Sequence, residues 1–446
     1  VLRDEIKNNN TRIIFGERGV GKSALMIAIN GNLQETSENG YVLITVIDEY
    51  SYLISQGNNL NKKWRIFLIR NLLKTFIQTT LLKNLSISRL DKIEKEKLSF
   101  IILNFYQTIS KTEFYKFQTN SNYYNNFVNP ALNTFLSASV ALSSDFISKS
   151  LGLSKLENVD FYKEYIPKAD TLKQIEINSL EISQLWQIFN DLIGICQKME
   201  FKTIIFFLDK LDEDPAIGGN VKEEGKILLP ILLNTSVLLD NKFSLVFLLW
   251  SKVKDELNRN HVRLDKIKAT DVGWTQREVR EIIEKRVSYF SNKTLTFDKL
   301  FQNVNDIDKI LYLSNGSPRD ALRLLSCIYD EEETSINSQG IFSPTSVTKG
   351  INKFLSGYDF YAIYPARSGS RRDILSIITK LKKIGKPNFK SKDIQTTFKF
   401  SQASAVNYVK LWKAFGVIKE DQEVVGKEKQ YSLTDPKIEY LVRYQI

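Results

Sequence analysis

The run Gly16-Glu17-Arg18-Gly19-Val20-Gly21-Lys22-Ser23, with Ala24 after it, has the residue types and spacing of a phosphate-binding loop. Its glycines let backbone N–H groups converge on phosphate oxygens. Lys22 brings a point charge to the β- and γ-phosphates of a nucleotide, and the Ser23 hydroxyl can ligate Mg2+. Such a loop needs an acidic partner for magnesium at the end of another strand. Asp209 is the candidate, because it stands where the apolar run "IIFFL" gives way to polar residues. Asp212 and Glu213 follow, and either could polarise an attacking water. A carboxylate at a strand end is often just a solvated loop residue. Its company with a full phosphate loop favours the chemical role.

A phosphate loop works only with a strand leading in and a helix leading out, and "TRIIF" and "SALMIAI" fit those places. Five runs read as buried strands: 12–15, 41–47, 202–209, 243–250 and, more weakly, 265–272. They are continuously apolar rather than alternating, which predicts a parallel sheet covered on both faces. Helical patterns separate them, so the class expected is α/β, a doubly wound core of βαβ units. Residues 54–175 intervene between the second and third strands, far more than one crossover needs, and read as a mostly helical insertion. From "TQREVREIIEKRV" to about residue 356 helix follows helix. The last segment, 357–446, reads as a winged helix-turn-helix, with a wing around Gly426.

Composition removes several other chemistries. The chain has 446 residues, two cysteines (Cys196 and Cys327) and one histidine, His261. That leaves no zinc site and no disulfide framework, and suits a reducing, cytoplasmic compartment. A Ser-His-Asp or Cys-His mechanism would have to use His261, which lies in a polar loop. No apolar stretch is long enough to span a membrane, and no signal peptide is visible. The opening residue is Val1 rather than Met, so an excerpt of a longer product is expected. The net charge of +11 is uneven: residues 54–175 and 357–446 each carry 17 basic against 9 acidic residues. DNA is the partner that such basic segments suggest, against the plainer reading of solvated lysine-rich faces.

Guanine-binding and transporter-type alternatives fail on the same text. The nearest approach to Asn-Lys-x-Asp is "NKKW" at 61–64, without the Asp, and "LSNGS" at 313–317 falls after Asp209 rather than before it. With these set aside, the chain resembles the additional-strand P-loop ATPases, the AAA+ group and its STAND relatives. "LDKLDE" (208–213) looks like the magnesium motif of the NACHT type. "LLWSKV" (248–253) occupies the sensor-1 position, making Ser251 and Lys252 candidates to feel a γ-phosphate, although the Arg common there in STAND proteins is absent. "NGSPRDALRLL" (315–325) resembles the sensor-2 region of a helical lid, as in origin-recognition ATPases. There Pro318 would approach the base and Arg319 the γ-phosphate.

The resemblance implies a parallel five-stranded P-loop NTPase core (1–53 and 176–272), the basic insertion (54–175), a helical lid (273–356) and the winged helix (357–446). It covers about 1–53 and 176–446 and leaves the insertion unexplained. It implies a bacterial-type Mg-ATP switch ATPase, with ATP and Mg2+ as ligands and slow hydrolysis. A homo-oligomer or a partner effector protein is expected, and some relatives act in antiviral defence. Arg259 or Arg263 would serve as the arginine finger offered to a neighbouring subunit. Two rival readings stand beside it. One is a DNA-binding winged-helix protein with ATP as a secondary regulator, using Gln402, Asn407, Lys410, Lys413, Lys427 and Lys429. The other is a hydrolysis-dead, nucleotide-stabilised assembly factor.

Overall fold

Strands β1 (Arg12–Gly16), β2 (Tyr41–Ile47), β3 (Phe201–Leu208), β4 (Ser244–Trp250) and β5 (Ala269–Val272) form one sheet in the order β2-β3-β4-β1-β5. The chain is described here as a computed structural model covering 2–35, 40–55, 59–107, 147–148, 151–153, 177–334, 340–364, 373–421 and 429–446. β2 pairs parallel with β3, and β3 parallel with β4. Every residue of β1 and β4 is buried, and so is all of β3 except Lys202. That is why these strands read as unbroken apolar runs: helices cover both faces and leave no side for polar residues. β5 has no buried residue, as befits an edge strand, and it is shorter than the run 265–272 suggested. β3 ends at Leu208, so Asp209 is the first residue beyond it.

Two compact units divide the chain: Val1–Phe15 with Lys22–Asp271, and Gly16–Gly21 with Val272–Ile446. The first holds the five-stranded sheet. Its core also takes in helices Leu60–Leu82 and Lys92–Phe105, which open the 54–175 segment. Trp64 is fully buried there, and its indole N–H donates to the Ile227 carbonyl at 2.6 Å. Basic residues of the same segment lie over rings: Arg65 on Trp186, Arg70 on Tyr52 and Lys83 on Tyr41, at 5.8, 4.8 and 4.6 Å. Their aliphatic stems cover apolar surface, so part of the segment's positive charge serves packing. Most of 108–175 lies outside the described residues.

The second unit contains helices Gln276–Phe290, Asn305–Ser314, Pro318–Glu333 and Pro344–Ser356. A winged helix follows: helices Ile374–Ile384, Ser391–Phe398 and Gln402–Ala414, then helix Pro436–Tyr444. Its sheet has three strands, β6 (Asn388–Lys390), β8 (Gln430–Leu433) and β7 (Ile418–Glu420), antiparallel in the order β6-β8-β7. β6 is an addition to the strand–turn–strand wing read from the sequence. Gly426 and Lys427, at the expected wing tip, lie outside the described residues. One hydrophobic cluster runs from Val279 to Val442 through both halves, so the lid and winged helix share a core. Among the described residues no helix is long and apolar enough to cross a membrane.

Candidate functional site

Phosphate-loop residues fall on both sides of the unit boundary. In the first unit, Lys22 and Ser23 open helix Lys22–Glu35, and Ser23 Oγ donates to Asp209 Oδ2 at 2.5 Å. Asp209 is held from several directions. Its amide donates to the Ile47 carbonyl at 2.9 Å, and its own carbonyl accepts the hydroxyl of buried Tyr50 at 2.9 Å. Lys210 takes a left-handed conformation (φ 62°) and its amide donates to Asp209 Oδ1 at 3.0 Å. Burial, and after it the Asp209, Asp48, Glu224 and Asp212 carboxylates, holds the Tyr50 phenol well above the ordinary tyrosine range. Tyr50 therefore stays a neutral donor beside a concentration of negative charge.

The turn Leu211–Glu213 separates the two water-polarising candidates. Asp212 is buried, whereas Glu213 is exposed. Along the sheet, β4 stands between β1 and β3. Ser251 and Lys252 follow it directly, with the Lys252 ammonium 4.9 Å from the Trp250 ring centroid. Lys254, two residues on, lies over the Phe15 ring at 5.3 Å and pairs with Asp271 at 2.7 Å. Nothing in the sequence singled out Lys254; only the adjacency of β4 and β1 brings it to the strand that ends in the loop.

The two arginine-finger candidates are not equivalent. Arg263 grips Asp265 through two hydrogen bonds of 2.8 and 2.7 Å, which lowers the Asp265 carboxyl to about 2. Arg259 is more exposed, and its contact with Glu256 is 3.7 Å long.

In the second unit, Gly19 and Gly21 have φ of 87° and 94°, conformations that side chains rarely tolerate. A Cβ on Gly19 would lie 2.5 Å from Ser317 Oγ and 3.1 Å from Arg319 Nε. The start of helix Pro318–Glu333 is thus set directly on the loop. Asn315 (φ 49°) and Gly316 (φ 71°) turn the chain, Ser317 caps the helix by accepting from the Asp320 amide at 3.2 Å, and Pro318 takes its first position. Two further ties reach the loop. The Trp274 indole donates to the Val20 carbonyl at 2.5 Å, and Arg18 Nη1 donates to the Ala362 carbonyl at 2.7 Å.

No family model and no curated protein matches the chain. Solved structures resemble it loosely along its length. The Aeropyrum pernix ORC2 protein with ADPNP and ADP is 10% identical and covers 98% of this chain and 89% of its own, with a TM-score of 0.44. The Aeropyrum pernix ORC1 protein in complex with DNA is 11% identical, covering 99% and 90%, at 0.36. Cdc6p from Pyrobaculum aerophilum is 11% identical, covering 100% and 91%, at 0.34.

Ser23 meets Asp209 in the first unit; in the second, Ser317 and Arg319 pack against Gly19. Pro318 serves as the first residue of its helix. Trp274 and Ala362 went unnoticed in the sequence. Trp274 lies in "VGWTQRE", where a tryptophan just before a helix signals packing, and Ala362 contributes only its backbone carbonyl.

Proposed function

We propose that the chain is a Mg-ATP-binding switch ATPase of the AAA+/STAND-like kind. The observation that supports this best is the 2.5 Å contact of Ser23 Oγ with Asp209 Oδ2, which pairs residues 186 positions apart. A hydroxyl and a carboxylate so placed are the hard oxygen ligands Mg2+ prefers, with its other positions left to phosphate and water. The loop suits phosphate equally well, since Gly19 and Gly21 supply the positive φ that lets its backbone amides turn toward one anion.

Ser23 and Asp209 would hold Mg2+, which would neutralise charge on the bound phosphates. The loop amides and Lys22 hold the phosphates, and Ser23 and Asp209 orient the ion. Arg319, beside Gly19, would be the basic residue offered to the terminal phosphate. Glu213, exposed on its turn, is better placed than buried Asp212 to orient the attacking water. Ser251 and Lys252 stand at the end of β4 as the polar residues that sense the γ-phosphate. Arg259 is the better candidate for a neighbouring copy's nucleotide, because Asp265 occupies Arg263. The helical unit that holds Arg319 would read the nucleotide state.

Equilibrium binding and turnover of MgATP test this. Lys22→Ala is expected to abolish binding, and Asp209→Asn to remove its dependence on magnesium. Retained binding in Lys22→Ala would mean that the loop holds something else. Tight binding without turnover would favour the hydrolysis-dead assembly factor.

A second reading, that the winged helix contacts DNA, draws support from Gln402, Asn407 and Lys410. All three are exposed on helix Gln402–Ala414. Lys413 and Lys429 support it less, because both pair with Glu420, at 2.6 and 2.7 Å.

A further inference from the structure

We propose that Lys437, in the last helix of the chain, is a positioning residue for the nucleotide site: through Asp320 it sets Arg319 on the phosphate loop. This rests on the nucleotide-binding reading above.

Asp320 and Lys437 are each only 3% exposed, and Lys437 Nζ lies 3.1 Å from Asp320 Oδ2. The same oxygen accepts the Tyr358 hydroxyl at 2.8 Å, and the Lys437 ammonium lies 4.9 Å from the Tyr358 ring centroid. A buried ion pair is a poor way to gain stability, because desolvation offsets most of the attraction. What it does supply is a fixed geometry, since either partner left alone would be an uncompensated buried charge.

That geometry bears on Arg319 because Asp320 is the next residue in the first turn of the same helix. Successive side chains are about 100° apart around a helix axis, so clamping Asp320 sets the direction of Arg319. There is little slack where Arg319 arrives, as the distances from the Gly19 Cβ position to Ser317 Oγ and Arg319 Nε show. Residues 358–364 repeat the connection. Tyr358 binds Asp320, Ala362 accepts from Arg18 of the loop, and the Tyr364 hydroxyl donates to Asp435 at 3.3 Å. Asp435 in turn caps helix Pro436–Tyr444 by accepting from the Lys437 amide at 2.9 Å. The loop, the Arg319 helix and the first turn of the last helix are therefore joined by side chains that have little freedom to move separately.

The test is a double-mutant cycle on the full chain, read by equilibrium MgATP binding. Lys437→Met, which keeps the volume and removes the charge, is expected to weaken binding by about tenfold. Arg319→Ala should weaken it at least as much. The double variant should bind no more weakly than Arg319→Ala alone, because it is Arg319 that Lys437 positions. Additive losses would overturn the proposal, as would unchanged affinity in folded Lys437→Met or in Arg319→Ala.

Should Lys437→Met fail to fold, Tyr358→Phe removes one hydroxyl. Its smaller loss should likewise vanish in the Arg319→Ala background, and persistence there, or no loss at all, would count against Lys437. Lys22→Ala in the same assay separates two failures. If it retains binding, the nucleotide reading itself falls. If it loses binding while Lys437→Met does not, only the role of Lys437 is lost.

Discussion

Glu420 shows how one carboxylate can set the character of a surface. It accepts from Lys413 on helix Gln402–Ala414 and from Lys429 just before β8, and these bonds hold its carboxyl down at about 2. It therefore remains charged at all ordinary pH values, and the two lysines that the sequence offered to phosphates are engaged. Glu420→Gln is expected to release them. If the winged helix binds duplex DNA, affinity should rise and the salt dependence should steepen by about one to two phosphate contacts. Fluorescence anisotropy across a salt series reads both. An unchanged slope would mean that these lysines do not meet phosphate.

Helix Pro344–Ser356 meets helix Pro318–Glu333, the one that carries Arg319, at a glycine. A Cβ on Gly350 would stand 2.6 Å from Ile328 Cα and 2.8 Å from its nitrogen. The obstacle is backbone, which cannot swing aside like a flexible side chain. Gly350→Ala sets two effects against each other. Alanine gains about 1 kcal/mol of helix propensity over glycine. Forcing apart two packed helices costs about 1–3 kcal/mol, and the clash with backbone puts this case at the upper end. Net destabilisation is expected in denaturant unfolding of the full chain, and a gain in stability would show that the helices have room to separate.

Over the whole molecule, buried phenols make a common prediction for both units. Burial, followed by neighbouring carboxylates, raises Tyr50 in the first unit and Tyr358 and Tyr364 in the second. A group raised in the folded state adds stability that is fully present below its unfolded pKa, about 10 for tyrosine, and is lost as pH rises toward the folded value. Stability should therefore be level on the neutral side of pH 10 and fall above it. Absorbance of tyrosinate should report these three phenols ionising together with unfolding. Smooth ionisation of all 19 tyrosines near pH 10 with the fold intact would contradict the burial described here.

Local features were legible in the sequence because each depends on near neighbours. "GERGVGKS" needs only its own glycines and the strand and helix beside it, Asp209 is marked by the apolar run it ends, and "NGSPR" announces a capped helix start. Continuous apolar runs likewise announced the buried strands, since a strand covered on both faces has no polar side to show. Tertiary structure alone decided which distant segments meet. It placed β4 between β1 and β3, drew helices Leu60–Leu82 and Lys92–Phe105 into the core of the first unit, and engaged Lys413 and Lys429 with Glu420. It also brought Lys437 to Asp320, an aspartate that reads in sequence as an ordinary first-turn carboxylate. Periodicity tells each element which face to bury, but a salt bridge between two buried charges is defined only when separate elements close on each other and exclude water.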